Sequence, residues 1–423
     1  MPPSPRMPSR PPRSVVVVGA GLAGTRTIAA LREQGFDGVV TLLGAEPDAP
    51  YDRPPLSKHL LDRPTPTLLR DELGADALAL ADDVRLGTAA RGLRVLPGAV
   101  EVLTDDGALT ADALVVASGS HALRPAGWQD AHVLHTASDA ARLRALLVPG
   151  VRLVVVGAGW IGAEVAGVAA AAGIHVEVVE ALPAPLAGPL GVAVGAAFAP
   201  WYADAGVTLH TGVQVARVHP GGVDLADGRS IAADVVLAAV GARPATGWLG
   251  DALPLEPDGA VRVDAGYAPE EGPAHVRAVG DVARRRSPRH GLVPGGHWDG
   301  ALRGPDVAVR ALLGTGAPTA DPDALDDPAP YVFSTQLGHD LAMFGHRGPY
   351  DDLVLRGDAA GGPDGWSALW FAPGSDVLTA VLTVDRPRDV GAARRLFAGR
   401  TLPRLDPARA ADTDVPLRGA VRS

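Results

Sequence analysis

Residues 15–24 of this chain read VVVVGAGLAG, a short apolar run that leads directly into a glycine-rich turn. A helical pattern follows through Thr27 to Gln34, and a second apolar run lies at 39–43. In this order of elements, the first glycine makes a tight turn and the second lets backbone amides approach a diphosphate. The third glycine lets helix and strand pack closely. The stretch therefore predicts a dinucleotide-binding unit at the start of a doubly wound sheet.

The same order of elements recurs in a second stretch. Residues 153–156 read LVVV, and residues 157–162 read GAGWIG ahead of an alanine-rich pattern that extends to Ala172. A further apolar strand, residues 175–179, ends in Glu180. One glycine motif alone is weak evidence, but two motifs that each follow a strand and precede a helix are strong. The chain is predicted to contain two dinucleotide-binding units.

An acidic residue follows the second strand of each unit, where it can accept hydrogen bonds from ribose hydroxyls. Glu46 stands in this place in the first unit and Glu180 in the second. A carboxylate there favours the free 2′-hydroxyl of NADH and repels the 2′-phosphate of NADPH. No arginine follows Glu180 closely, so NADH is the predicted substrate. The alternative is that Glu180 is an exposed acid without a role in binding.

Two residue counts restrict the chemistry. The chain has no cysteine, which excludes a disulfide, a thiolate nucleophile and a cysteine-ligated iron–sulfur cluster. Among its 38 basic residues it has one lysine, Lys58. Either Lys58 survived by chance in an arginine-biased chain, or it stands where a compact ammonium works and a planar guanidinium does not. Any electron transfer must bypass cysteine.

Size and charge define the class of protein. At 423 residues the chain is expected to form two or three domains. Its net charge of −10 argues against nucleic-acid binding. No apolar run approaches the roughly 18 residues of a membrane span, and the scattered histidines give no metal-ligand spacing. Residues 1–13 lack an apolar signal-peptide region and are predicted to be a disordered tail of a cytoplasmic protein.

Between and after the glycine motifs, the pattern changes to short β-like runs. Residues 84–116 and 207–240 each suggest a small antiparallel meander, with turns at Asp105-Asp106-Gly107 and Asp227-Gly228. The two halves look like copies of one plan. Beyond about residue 320, a linker rich in proline and aspartate opens a third segment that is predicted to be antiparallel.

Residues 50–61, PYDRPPLSKHLL, carry a resemblance to a known family. Together with six further motifs, they resemble the NADH-dependent ferredoxin reductases that serve bacterial cytochromes P450 and ring-hydroxylating dioxygenases. The resemblance runs from about Ser14 to about Gly348. The other matching motifs are ASGS (117–120), GAGWIGAE (157–164), VGARP (240–244), VGDVA (279–283), His297-Trp298 and YVFSTQLG (331–338).

The resemblance implies an α/β fold like that of glutathione reductase, with two Rossmann-type dinucleotide-binding domains and a C-terminal α+β domain. Residues 14–120 and 245–325 would form a discontinuous FAD-binding domain. Residues 121–244 would form an inserted NAD-binding domain, and residues 326–423 the C-terminal domain.

The resemblance also implies the site. Lys58 and Glu164 would meet near flavin N5, where an ammonium stabilises negative charge on reduced flavin and the carboxylate orients it. His135 stands where relatives often have an arginine, which would weaken this FAD contact or make it pH-dependent. Trp160 would pack either over the nicotinamide or at a domain hinge. The other implied cofactor-binding residues are Gly19, Gly21, Ala23, Gly24, Glu46, Arg53, Ala90, Asp281 and Trp298 for FAD, and Gly157, Gly159, Ile161, Gly162, Glu180 and Gly241 for NADH.

The implied activity is electron transfer from NADH, through non-covalently bound FAD, to an iron–sulfur ferredoxin of the [2Fe–2S] or [3Fe–4S] type. That ferredoxin would serve a cytochrome P450 or a dioxygenase. Three alternatives stay open: a rubredoxin reductase, an NADH oxidase, and a redox sensor like apoptosis-inducing factor.

Four arginines after Asp281 suggest a docking site for the acidic ferredoxin. Arg284, Arg285, Arg286 and Arg289 either form a basic patch that steers the partner or belong to an ordinary solvated loop.

Overall fold

The computed structural model describes residues 11–315, 327–362 and 364–422. Most of the predicted tail and of the proline-rich linker lies outside the described residues. At the end of the predicted tail, the backbone N–H of Arg13 donates to Asp112 at 2.8 Å, and its carbonyl accepts from Val39. The prediction of disorder up to residue 13 is therefore wrong for Arg13.

The described strands alternate with helices through the first part of the chain and dominate its last part. In chain order they are β1 (Ser14–Val18), β2 (Val39–Gly44), β3 (Asp83–Leu86), β4 (Gly92–Leu96), β5 (Ala99–Thr104), β6 (Gly107–Ala111), β7 (Ala113–Val116), β8 (Ser120–Ala122), β9 (Arg152–Val156), β10 (His175–Glu180), β11 (Thr208–Thr211), β12 (Val215–His219), β13 (Gly222–Leu225), β14 (Ser230–Ala232), β15 (Val235–Ala238), β16 (Ala242–Pro244), β17 (Val261–Val263), β18 (Val276–Ala278), β19 (Ala283–Ser287), β20 (Gly291–Val293), β21 (Tyr331–Gln336), β22 (His339–Gly345), β23 (Asp352–Arg356), β24 (Trp366–Phe371) and β25 (Leu378–Val384).

The described α-helices include one at each predicted glycine motif. They are α1 (Leu22–Glu33), α2 (Pro55–Lys58), α3 (Leu69–Leu73), α4 (Ala77–Leu80), α5 (Ala137–Leu146), α6 (Trp160–Ala171), α7 (Ala187–Leu190), α8 (Val192–Ala196), α9 (Ala199–Asp204), α10 (Trp298–Leu313), α11 (Pro387–Phe397) and α12 (Pro407–Ala411), with 3₁₀ turns at Gly247–Ala252, Gly280–Val282 and Leu417–Ala420. None of these described helices is both long and apolar enough to cross a membrane.

The first sheet has the strand order β18-β7-β1-β2-β3, and all its pairs are parallel. Residues 15–18 are almost fully buried. Parallel strands covered on both faces have continuous apolar runs, which explains the four valines. The fifth strand, β18, comes from far along the chain, so this unit is built from two separated segments.

The second sheet repeats the first. Its order, β11-β10-β9-β15, is again all parallel and matches β3-β2-β1-β7 strand for strand. Each unit also contains the predicted antiparallel meander, β4-β5-β6 in the first and β12-β13-β14 in the second. The chain enters and leaves the second unit through β8 and β16, which pair with each other as an antiparallel ribbon.

The C-terminal part is an antiparallel five-stranded sheet in the order β21-β22-β25-β24-β23, as predicted. One face packs with α11 and α12. The other face packs against α7–α9 of the second unit through a shared apolar cluster. In this cluster Phe198 lies 5.8 Å from Trp366 between ring centroids, and Trp201 stacks on His339.

Buried Arg356 on β23 ties the end of the chain to this sheet. Its Nε donates to Asp389 at 3.0 Å, and its other nitrogens donate to carbonyl groups of Ala410, Asp412 and Val415. Only 2% of Arg356 is exposed. One side chain therefore satisfies three carbonyls and compensates a buried carboxylate.

We expect Arg356→Ala to lower the free energy of unfolding of the C-terminal part by about 3–5 kcal/mol, because it leaves three carbonyl groups without a donor and leaves buried Asp389 with Arg386 as its one remaining cation. Urea unfolding followed by tryptophan fluorescence measures the change. Arg404→Ala is the matched control: the Arg404 side chain is 62% exposed and pairs with Asp376 at the surface. We expect the control to cost about 0.5 kcal/mol. Equal losses in the two variants would contradict this role of Arg356.

Candidate cofactor and electron-transfer site

At the first and third positions of the two glycine turns, any side chain would clash with the protein's own backbone. Gly19 and Gly157 have φ values of +118° and +105°, and a Cβ on either would overlap a carbonyl oxygen of the neighbouring strand loop. A Cβ on Gly24 or Gly162 would overlap the carbonyl oxygen of the first glycine of its own turn. These four glycines allow the helix to approach the strand.

The middle glycines, Gly21 and Gly159, need another explanation. Their φ values of −81° and −80° are open to any residue, and a Cβ on either would meet no atom within 4 Å. Each is the N-cap of a 12-residue helix, α1 or α6, where unpaired backbone N–H groups and the helix dipole attract an anion. Both turns thus provide the open space and the donors that a dinucleotide diphosphate requires.

Glu46 lies in a hydrogen-bonded group after β2. Its Oε1 accepts from Arg53 at 2.7 Å, and its Oε2 accepts from the hydroxyl of Tyr51. Arg53 also donates to the backbone carbonyl of His135 at 2.6 Å. Burial raises the pKa of Tyr51 to about 12, so its hydroxyl stays a donor. The sequence prediction missed Tyr51, and the binding of FAD by Arg53 stays a prediction.

Glu180 holds the second glycine turn. Its Oε2 accepts from the backbone N–H of Ala158 at 2.7 Å, and its Oε1 accepts from that of Leu182 at 2.8 Å. A carboxylate has about four acceptor sites, so ribose hydroxyls can still bind. The contacts place half-buried Glu180 at the turn, and its binding of ribose stays a prediction. Its role in selecting NADH stays a prediction.

Lys58 and Glu164 meet, as the sequence predicted. Lys58 Nζ lies 2.5 Å from Glu164 Oε1, and Glu164 is 4% exposed. The same carboxylate accepts from Ser57 Oγ at 2.5 Å and from the hydroxyl of Ser334, which itself accepts from Gln336 at 3.0 Å. The site therefore joins α2, α6 and β21, three segments that are far apart in the sequence.

The sequence prediction missed Ser57, Ser334 and Gln336. In β21 the burial alternates, so that Ser334 and Gln336 face inward while Phe333 and Thr335 face outward. Polar residues at the inward positions of a strand were the available signal.

Trp298 begins α10 beside this site. Its Nε1 donates to Asp52 at 2.8 Å, and its ring meets that of Phe333 edge-on at 6.4 Å. Burial raises the pKa of Asp52 above its ordinary value, and the hydrogen bond from Trp298 offsets part of this rise. Lys58 Nζ lies 5.1 Å from the centroid of Phe333. Lys58, Phe333 and Trp298 therefore line one surface.

His135 and Asp281 lie near Arg53. Burial lowers the pKa of His135, and the nearby guanidinium of Arg53 lowers it further, so the ring is predominantly neutral at pH 7. Asp281 accepts from Ser120 Oγ at 2.8 Å, and its charge acts on both His135 and Arg53. The predicted FAD-binding residues of this group thus lie near one another.

The remaining predicted residues differ in what they offer a ligand. Ala23 is buried, and its Cβ faces Gly280, so only its backbone can reach a diphosphate. Ala90 packs against the first apolar core. Ile161 is 44% exposed in the first turn of α6, and Gly241 has a φ of +109° with open space around it. Trp160 packs against the apolar cluster shared with the C-terminal sheet, which favours the hinge interpretation.

The predicted basic patch after Asp281 is wrong for Arg285. Arg285 is 5% exposed, pairs with Asp327 and lies over the ring of Tyr267. Arg284 pairs with Asp258, Arg286 pairs with Glu270 at 2.5 Å, and Arg289 donates to Asp327 and to the backbone carbonyls of Phe397 and Gly399. Each of the four arginines of this loop therefore pairs with an acidic residue of the protein. In the described ranges no group of side chains has the composition of a metal site.

Two family models match the chain. That of the pyridine nucleotide-disulphide oxidoreductases matches residues 13–300, and that named reductase C-terminal matches residues 331–421. The chain belongs to the pyridine nucleotide-disulphide oxidoreductase family. Within it, the matches to curated and solved proteins confirm the predicted resemblance to the NADH-dependent ferredoxin reductases and the predicted fold. FAD and NADH, the predicted cofactors, are those of this family.

The relatives match over nearly their whole length. The ferredoxin–NAD(+) reductase component of the anthranilate 1,2-dioxygenase system of Burkholderia cepacia is 35% identical over 95% of this chain and 98% of its own. Rhodocoxin reductase of Rhodococcus erythropolis is 34% identical over 96% of this chain and 94% of its own. The crystal structure of Fdr9 matches this chain with a TM-score of 0.84 and 41% sequence identity. The match covers 96% of this chain and 99% of Fdr9. The crystal structure of a covalent putidaredoxin reductase–putidaredoxin complex contains a chain that matches with a TM-score of 0.84 and 28% sequence identity. The match covers 96% of this chain and 97% of that one.

The two middle glycines give a paired test of the binding turns. We expect Gly21→Ala to fold but to lose FAD, and Gly159→Ala to keep FAD but to bind NADH about tenfold more weakly or worse, because each methyl occupies ligand space. The ratio of flavin to protein absorbance measures the first effect, and titration with NADH measures the second. Each variant is the other's control. If both variants bound both dinucleotides normally, the assignment of these turns would be wrong.

Proposed function

We propose that this chain is an NADH-dependent ferredoxin reductase that passes electrons through FAD to a ferredoxin serving a cytochrome P450 or another oxygenase. The proposal rests above all on the absence of cysteine in a chain that has two dinucleotide-binding turns and the Lys58–Glu164 pair. Related flavoenzymes that relay electrons through thiols need at least one cysteine. Here the electrons leave directly from the flavin to an outside acceptor.

In the proposed division of labour, residues 14–120 and 245–325 bind FAD, residues 121–244 bind NADH, and residues 326–423 form the C-terminal domain. The β8–β16 ribbon supports the two inner boundaries, because it contains both crossings between the units. Bound FAD supplies the conversion between two-electron and one-electron chemistry. We place the reaction in the cytoplasm, where NADH is regenerated.

The residues of the chain orient the reactants and balance charge. Lys58 presents an ammonium whose position is fixed by buried Glu164, and Ser57 and Ser334 fix the carboxylate in turn. A positioned cation beside a reacting centre stabilises the negative charge that reduction creates there. The aromatic rings of Phe333 and Trp298 lie beside this group.

Anaerobic mixing tests the proposed function. We expect NADH to bleach the flavin of the FAD-loaded protein, and an oxidised [2Fe–2S] or [3Fe–4S] ferredoxin then to become reduced, with both chromophores followed by absorbance. A flavin that bleaches while every ferredoxin stays oxidised would contradict the proposed acceptor and direct attention to oxygen, quinone or rubredoxin. A flavin that NADH scarcely bleaches would contradict the role of NADH.

The Lys58 position gives a second test. We expect Lys58→Arg to keep FAD but to reduce the flavin with NADH about tenfold to a hundredfold more slowly, because a guanidinium does not fit between Glu164 and Phe333 as an ammonium does. Stopped-flow absorbance measures the rate. Arg63→Lys, an exposed exchange on the same segment, is the matched control and should leave the rate unchanged. A Lys58→Arg variant as fast as the control would mean that the lone lysine survived by chance.

A further inference from the structure

Helix α11 of the C-terminal part has an outer surface that contains only positive charge. Arg388, Arg394 and Arg395 are exposed on it, whereas its one acidic residue, Asp389, is buried and paired inside the domain. Of the residues that the structure describes, none forms an ion pair with these three guanidinium groups. Arg388 and Arg395 are seven residues apart, so they lie on the same side of the helix, and Arg394 is adjacent.

Of these arginines, Arg394 lies beside the aromatic surface at the proposed electron-transfer site. The guanidinium carbon of Arg394 is 6.0 Å from the ring centroid of Tyr331, and the rings of Tyr331 and Phe333 are 6.0 Å apart. Phe333 in turn meets Trp298 at 6.4 Å and is 37% exposed. A continuous path of ring contacts therefore connects α11 with the first residue of α10.

Arg303 on α10 adds a fourth exposed positive charge near Trp298, the first residue of that helix. Its Nε lies 2.9 Å from Asp299, which is buried, while 61% of the Arg303 side chain is exposed. The charges of Asp299 and Arg394 also act on each other, so the first turn of α10 lies within electrostatic range of α11. The partner carboxylate is thus inside the protein, and the cation faces solvent.

We propose that Arg303, Arg388, Arg394 and Arg395, here called the α11 patch, form the docking surface for an acidic iron–sulfur protein. The proposal rests on the proposed function and names the surface that the partner uses. The whole chain has a net charge of −10, which repels an acidic partner unless a local positive surface attracts it. The α11 patch supplies this surface next to exposed Phe333, whereas the arginines after Asp281 are already paired.

The matched variants are two double charge reversals. Arg394→Glu/Arg395→Glu alters the α11 patch, and Arg217→Glu/Arg229→Glu makes the same change in net charge on the distant meander of the second unit. The probe is an acidic [2Fe–2S] ferredoxin, and its binding to the FAD-loaded full chain is measured by calorimetry at several salt concentrations. Flavin content and circular dichroism report whether each variant folds. Arg388→Glu is the single substitution to use if the α11 double variant does not fold.

We expect the α11 double variant to raise the Kd for the ferredoxin about tenfold to a hundredfold at low salt. The difference from wild type should disappear near about 0.5 M salt, where charges are screened over a few ångströms. The control double variant should stay within about twofold of wild type. The association rate, measured by stopped flow, should fall with the same salt dependence, because steering acts on encounter.

Two results would overturn the proposed docking surface while leaving the proposed function intact. One is an equal loss of affinity in both double variants, which would reflect net charge alone. The other is unchanged binding in the α11 variants of a chain whose wild type still reduces ferredoxin. If wild-type protein neither binds nor reduces any acidic ferredoxin, the proposed function itself fails, and the docking surface fails with it.

Discussion

A carboxylate removed from water has to be compensated by positive charge and hydrogen bonds. The relative arrangement of the three parts of this chain depends on the donors that compensate the buried carboxylate of Glu164. Its donors are Lys58, Ser57 and Ser334. They come from a short helix near the first sheet and from the first strand of the C-terminal sheet, while Glu164 itself belongs to the second unit. The carboxylate can be satisfied only if all three parts of the chain adopt one relative arrangement. The same requirement fixes the ammonium of the single lysine.

The second constraint is the close approach of helix and strand, and the protein meets it twice in the same way. In both glycine turns the first and third glycines remove clashes within the protein, whereas the middle glycine removes none. This separates the structural glycines from those that serve a ligand. The two units share this strand–turn–helix contact as well as the same strand order.

Arginine has opposite roles in different parts of the molecule. Arg356, Arg285 and Arg289 are inside, where a planar group with five donors can satisfy several carbonyls and carboxylates at once. The arginines of α11 are outside, where their charge acts on the surroundings. A sequence pattern does not distinguish these roles, because the run after Asp281 looks more basic than α11. The difference lies in whether a carboxylate from another segment reaches the guanidinium.

Local rules in the sequence were sufficient for the two dinucleotide-binding units, the meanders and the antiparallel C-terminal sheet, because each is specified by neighbouring residues. Residue counts were sufficient to exclude thiol chemistry and to single out Lys58. The family resemblance added its partner Glu164. The sequence did not reveal Tyr51, Ser57 and Ser334, nor that Arg285 is buried, because those facts depend on contacts between residues far apart in the chain. Burial and ion pairing across such distances are properties of the packed structure, so only the tertiary structure decided which polar groups hold the site and which positive charges stay exposed.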